Sequence, residues 1–121
     1  MDIGQLIQSD TADCVIVDPR NGNQTDIVIT VYGKGSAEHR AAIADIGRKK
    51  AKDSDASEED MVVEFLASVT KSWVSVEYNE KNLPFNRKNA LLVYSKSSTI
   101  RDQISAFVFN ASNFMPPRST D

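Results

Sequence analysis

A run of apolar side chains at helical spacing constrains this chain more than any other feature. Val62, Phe65, Leu66, Val69 and Trp73 recur at steps of three and four residues. That spacing describes one face of an α-helix, and such a stripe must be buried against other elements. Ser57-Glu58-Glu59-Asp60 stands ahead of it as a capping box, with a hydroxyl at the N-cap and an acid at the third helical position. The sequence therefore predicts a core helix over about 58–73.

The remaining elements are read around that helix. Cys14-Val15-Ile16-Val17 and Asp26-Ile27-Val28-Ile29-Thr30-Val31-Tyr32 are β-rich runs separated by Asp18-Pro19-Arg20-Asn21-Gly22-Asn23, a strong turn signal. A β-hairpin follows, with Ile27, Ile29 and Val31 on one face. A hairpin alone is marginal, so one face must pack on helices or on another subunit. Residues 1–10 read as a weak helical turn or a loose arm. Ser36 caps a helix over about 37–52, with an alanine side formed by Ala37, Ala41 and Ala44 and with Ile43 and Ile46 nearby. Asn86 caps a helix reaching about Tyr94, and Thr99-Ile100-Arg101-Asp102 opens a last helix as a second capping box. The expected fold is mainly α (α+β), an N-terminal β-hairpin followed by about four helices. It forms one domain over residues 1–115, with a flexible tail over 116–121 where two prolines cannot continue a helix.

Composition narrows the function classes. A net charge of −3 with mixed signs lacks the basic stripe of a nucleic-acid surface. The basic run Arg48-Lys49-Lys50-Ala51-Lys52 reads as a cationic helix end and is followed at once by acids. No run approaches the roughly 20 apolar residues of a membrane span. Asp2 and Gln5 stand where a signal peptide needs a basic segment and an apolar block, so none is expected. One cysteine and one histidine cannot supply a structural zinc set. Cys14, in an apolar strand, reads as an inert buried thiol, and His39 as an exposed helical side chain. Neither an enzyme site nor a cofactor is expected.

The aromatics gather in the C-terminal half. Phe65, Leu66 and Trp73 are expected in the core, with Pro84 and Phe85 in structural roles. Phe107, Phe109, Phe114 and Tyr94 are the candidates for contact with a client or a neighbouring subunit. They lie on short helices whose apolar residues exceed what one face of each can bury, and aromatics are enriched at protein interfaces.

Several pieces in order carry a family resemblance. They are Val17-Asp18-Pro19-Arg20-Asn21-Gly22, Ser36-Ala37-Glu38-His39-Arg40 at a helix start, and Trp73 after an apolar helix. Leu83-Pro84-Phe85-Asn86 with Asn89-Ala90 comes next, then Ile100-Arg101-Asp102-Gln103-Ile104 leading to Asn113-Phe114. Together they resemble the tail assembly chaperones of long-tailed bacteriophages and prophages, the lambda-like and HK97-like siphophage group. The chain departs from that group after Trp73, where Val74-Ser75-Val76 and Asn79-Glu80-Lys81-Asn82 replace a small residue and a short Asp-Gly turn. The resemblance implies a chaperone without catalysis that binds the tape measure protein, keeps it soluble and self-associates into a ring or spiral. It also implies recruitment of the tail tube protein through a longer frameshifted form. The implied location is the host bacterial cytoplasm, with absence from the mature virion. The alternative is a minor structural or tail completion protein retained in the virion.

Overall fold

The computed structural model describes residues 1–53, 55 and 57–116. Residues 117–121, most of the expected flexible tail, lie outside the described residues. The fold combines α and β structure, with an N-terminal hairpin and four helices.

Strands β1 (Thr11–Val17) and β2 (Gln24–Tyr32) form the hairpin, with Cys14 opposite Ile29. Its turn is built by Asp18. The Asp18 carbonyl accepts from the Gly22 N–H at 2.8 Å, and its carboxylate accepts from the Arg20 N–H at 2.9 Å. Gly22 supplies the left-handed geometry, with φ of 74°. Hydrogen bonds from the Arg20 guanidinium and amide hold the Asp18 carboxyl down to about 2.

Helices α1 (Ala37–Lys52) and α2 (Glu58–Val69) start as the sequence predicts, at Ser36 and Ser57. Each serine hydroxyl accepts from an N–H three residues on, those of His39 and Asp60. The buried side of α1 is not its alanine side. Ala37, Ala41 and Ala44 are exposed, and His39, Ala42 and partly Ile46 face inward. The start of α1 is bound tightly to the end of β2. The Ser36 hydroxyl donates to the Gly33 carbonyl at 2.7 Å, and the His39 ring lies 3.4 Å from the Tyr32 carbonyl. That anchorage sets the helix's rotation, so His39 is buried and not exposed as its alanine-rich context suggested.

The predicted helix over 58–73 is shorter than its stripe. It ends at Val69, and Thr70–Val74 becomes β3, antiparallel to β2 with Trp73 opposite Ile29. The pairing steps from Thr30–Ser72 to Val31–Thr70, which leaves Lys71 as the extra residue of a bulge. The bulge returns Thr70 to the inner face, where its hydroxyl bonds the Leu66 carbonyl at 2.7 Å and the Tyr94 hydroxyl at 2.6 Å. Trp73 is therefore a core residue from a strand. Its indole N–H donates to the Leu83 carbonyl at 2.8 Å, and Phe85 meets it edge-on at 5.1 Å.

A two-residue hairpin follows, β4 (Glu77–Tyr78) and β5 (Lys81–Asn82). Asn79 and Glu80 both have positive φ, as a type I′ turn requires. Then come α3 (Arg87–Lys96), capped by Asn86, and α4 (Ser98–Val108). The cap of α4 is Ser97, whose hydroxyl accepts from the Ile100 N–H, and not Thr99. The inner face of the sheet (Cys14, Ile16, Ile29, Val31, Trp73) packs against the helices in one core. Gln103 of α4 ties that core to β1: its amide accepts from the Val17 N–H at 2.8 Å and donates to the Val17 carbonyl at 2.7 Å.

Candidate interaction surface

The helices leave an apolar groove where α1, α2 and the end of α4 meet. Its volume is about 290 Å³, and Ile43, Ile46, Met61, Val62, Phe65 and Phe109 supply its apolar wall. Glu58 and Ser105 complete the rim. Helical period places these residues together. Ile43 and Ile46 lie one turn apart on α1, and Met61, Val62 and Phe65 lie within one turn of α2. Ile43, Val62 and Phe109 remain 50%, 38% and 58% exposed.

Two of the groove's rings belong to a three-ring cluster that continues into the core. The buried Phe65 stacks on Phe109 at 5.6 Å and 12° between planes. His39 meets both edge-on, at 5.3 Å to Phe65 and 5.9 Å to Phe109. These are favourable aromatic geometries, so Phe109 is held in a fixed orientation although most of its surface is open. The end of α4 explains why. Phe109 is its C-cap, and Asn110 then reverses the chain by accepting from the Ser112 N–H at 3.1 Å and hydroxyl at 2.7 Å. Phe109 is left outside that reversal, and a 3-10 turn over Ala111–Phe114 carries Phe114 back inside.

The four expected contact residues therefore separate. Tyr94 and Phe114 are 0% and 1% exposed, so both are core residues and neither presents a surface to a partner. Tyr94 is drawn in by the Thr70 hydroxyl, and burial pushes its phenol well above its ordinary value. Phe114 lies over Gly33 and meets the half-buried Phe107 edge-on at 5.8 Å. Only Phe109 opens to the groove. Phe65, Leu66 and Trp73 are buried, Phe85 is half-buried, and Pro84 is exposed with its carbonyl accepting from the Asn89 side chain at 2.8 Å. Sequence reasoning missed Ile43, Ile46 and Met61 as wall residues, and His39 as the buried ring packed against Phe65 and Phe109. The signal available was the pair Ile43 and Ile46 on an otherwise alanine-rich helix.

Other surfaces hold less. Arg48, Lys49, Lys52 and Arg87 line a cleft of about 290 Å³ together with Asp45 and Glu64. Three of its four cations are engaged locally: Arg48 pairs with Asp45, Lys49 with Glu64, and Arg87 reaches the Ser68 hydroxyl at 3.2 Å. Among the described residues, no group of three or more His, Cys, Asp or Glu is placed to hold a metal ion. Cys14 is buried, and desolvation pushes its thiol up, away from the thiolate that nucleophilic chemistry needs. No described helix is long and apolar enough to cross a membrane. Comparison of the chain with family models, with curated proteins and with solved structures finds no match.

Proposed function

We propose that this protein is a non-catalytic assembly chaperone that holds an amphipathic helix of a larger client in the groove of α1, α2 and α4. The observation that carries the reading is the groove itself: an open apolar wall with a rigidly stacked aromatic at its centre and one charge on its rim. A helix-in-groove contact needs such a wall for the client's apolar stripe. Many weak contacts along a long client gain strength by multivalency. The resemblance in residues 15–114 supplies the client's identity, the tape measure protein of a long-tailed phage. It also supplies the setting: the bacterial host cytoplasm, a ring or spiral of subunits, and delivery of the tail tube protein by a longer frameshifted form.

The test is co-expression with the tape measure protein of the same gene neighbourhood. The client is expected in the soluble fraction with the intact protein and in the pellet with Ile43→Ser/Phe109→Ser, which should keep the parent's circular dichroism spectrum although loss of the Phe109 stacking lowers its melting temperature. A client equally soluble with that variant would overturn the groove assignment. Mass spectrometry of purified particles addresses the role: a stoichiometric presence there would make the protein a retained tail component.

A further inference from the structure

The tip of the first hairpin carries Asn21-Gly22, and no other asparagine of the chain precedes a glycine. Both residues are exposed. The Asn21 side chain is nevertheless held, because its carboxamide oxygen accepts from the Asn23 N–H at 2.9 Å. The ring closed by that hydrogen bond contains both the Asn21 Cγ and the Gly22 nitrogen, so the side chain is folded over the Gly22 peptide. Nothing lies within 4 Å of the place a Cβ of residue 22 would take. The other side of the tip is fixed separately. The Asp18 N–H donates to the Asn23 carbonyl at 2.8 Å, and the Arg20 guanidinium pairs with the Asp18 carboxylate.

The structure assigns Asn21 as a site of intramolecular deamidation, with the Gly22 nitrogen as nucleophile and the Asn23 N–H as donor to the developing oxyanion. The Gly22 nitrogen gives its proton to hydroxide and bonds to the Asn21 Cγ. The Cγ–Nδ2 bond then breaks, the amide nitrogen takes a proton from water, and ammonia leaves a five-membered imide. Water opens the imide at Cγ to give an aspartyl residue, or at the main-chain carbonyl to give an isoaspartyl residue. The folded side chain brings nucleophile and carbon together. The Asn23 N–H is already in place on the oxygen that gains charge. Glycine leaves room for the forming imide. The Gly22 N–H also donates to the Asp18 carbonyl at 2.8 Å, but that bond lies in the peptide plane and leaves both faces of the nitrogen open. Asn110 is the internal comparison. It closes the same ring on the Ser112 N–H at 3.1 Å, but it precedes Ala111, whose Cβ crowds the imide. Both products add a negative charge beside Asp18. The isoaspartyl product also inserts a methylene into the backbone of the turn that Asp18 holds. The strands stay pinned, by Gln103 at Val17 and by the Thr25 hydroxyl on the Ile16 carbonyl at 2.8 Å. Aged chains are therefore folded, more acidic and altered at one tip.

The test is incubation of the full chain in mildly alkaline buffer at physiological temperature, followed by peptide mapping with mass spectrometry. Asn21 is expected to convert first, to a mixture of aspartyl and isoaspartyl products, roughly tenfold or more ahead of Asn110. An intact Asn21 when other asparagines have converted, or an Asn110 that keeps pace with it, would overturn the assignment. An aspartyl product with no isoaspartyl partner would also do so, since it would mean direct attack by water. The same incubation in urea separates the folded tip from the bare dipeptide. Folded and unfolded chains should convert at rates within a few-fold of each other. A folded chain that stays intact while the unfolded one converts would show that the turn shields Asn21, against the proposal. Asn21→Gln should abolish the early gain of charge on isoelectric focusing, and its persistence would place the change elsewhere. Asn21→Asp keeps an acceptor for the Asn23 N–H and should melt close to the parent, while the isoaspartyl chain should melt a few degrees lower. Equal melting of the two would refute the effect on the turn.

Discussion

Replacing Gly33 with alanine tests whether Phe114 belongs to the core. The strain is steric, because Gly22 and not Gly33 is the glycine with positive φ. A Cβ built at Gly33 lies 2.5 Å from one ring carbon of Phe114 and 2.8 Å from two others. Carbon atoms pack at about 3.5–4.0 Å, so the ring must retreat by roughly 1 Å. It has little room, being 1% exposed and backed by Phe107 at 5.8 Å, with its own carbonyl bonded to the Ser9 N–H. Overpacking of this kind costs about 1–3 kcal/mol, and the stiffer unfolded chain of an alanine variant returns about 0.4–1 kcal/mol. Expelling the ring would forfeit about 3–5 kcal/mol, so it stays and shifts. The net expectation for Gly33→Ala is a loss of about 1–2 kcal/mol. With an m-value of about 1–3 kcal/mol/M in urea, the midpoint should fall by about 0.5–1.5 M. Phe114→Leu, made alone and with Gly33→Ala, completes a double-mutant cycle in which the smaller side chain should relieve most of the alanine's cost. A midpoint for Gly33→Ala at or above the parent's, or two changes that simply add, would refute the packing argument and return Phe114 to the surface.

Other consequences are as direct. Glu80→Gly at the second position of the type I′ turn should stabilise by about 0.5–1 kcal/mol, read as a rise of a few degrees in melting temperature. Gln103→Ala removes both hydrogen bonds to the Val17 backbone and should cost about 1–3 kcal/mol in a urea titration. The raised Tyr94 phenol makes stability pH-dependent in the alkaline range. Its contribution is full below the unfolded value near 10 and declines above it by about 1.4 kcal/mol per pH unit, since the unfolded chain then ionises and the folded one does not. Tyr94→Phe should flatten the pH profile above about 10 by that amount, and an unchanged slope would show that another group, such as Cys14, dominates.

The features legible in the sequence were those decided locally. Ser36, Ser57 and Asn86 announced three helix starts, because a cap hydroxyl or amide needs only the N–H three residues on. Lys96-Ser97-Ser98-Thr99 offered three hydroxyls in a row, and spacing could not single out Ser97. The helix over 58–73 was overextended because Trp73 continues the stripe arithmetically from Val69. Its true end depends on pairing with β2, whose nearest residue in β3 is almost 40 positions away. The groove shows the same division. Phe109 was legible as an aromatic in excess on a short terminal helix, but the burial of Phe114 and His39 depends on Gly33 and Tyr32, which no helical period connects to them.

The place of β3 beside β2 has a consequence for how the molecule is made. β2 is the middle strand, and the residues that complete its second edge are synthesised about 40 positions later, after both α1 and α2. At about 5–20 residues per second on a ribosome, that is a delay of roughly 2–8 s. During it, the hairpin can form within microseconds, while the apolar run Ile27–Val31 has an unpaired flank. Neighbouring nascent chains on one message would carry the same flank at the same moment. Recovery of folded protein should therefore fall with slower elongation across residues 33–70 or denser ribosome loading, a sensitivity that the finished fold, with its strand in place, no longer has.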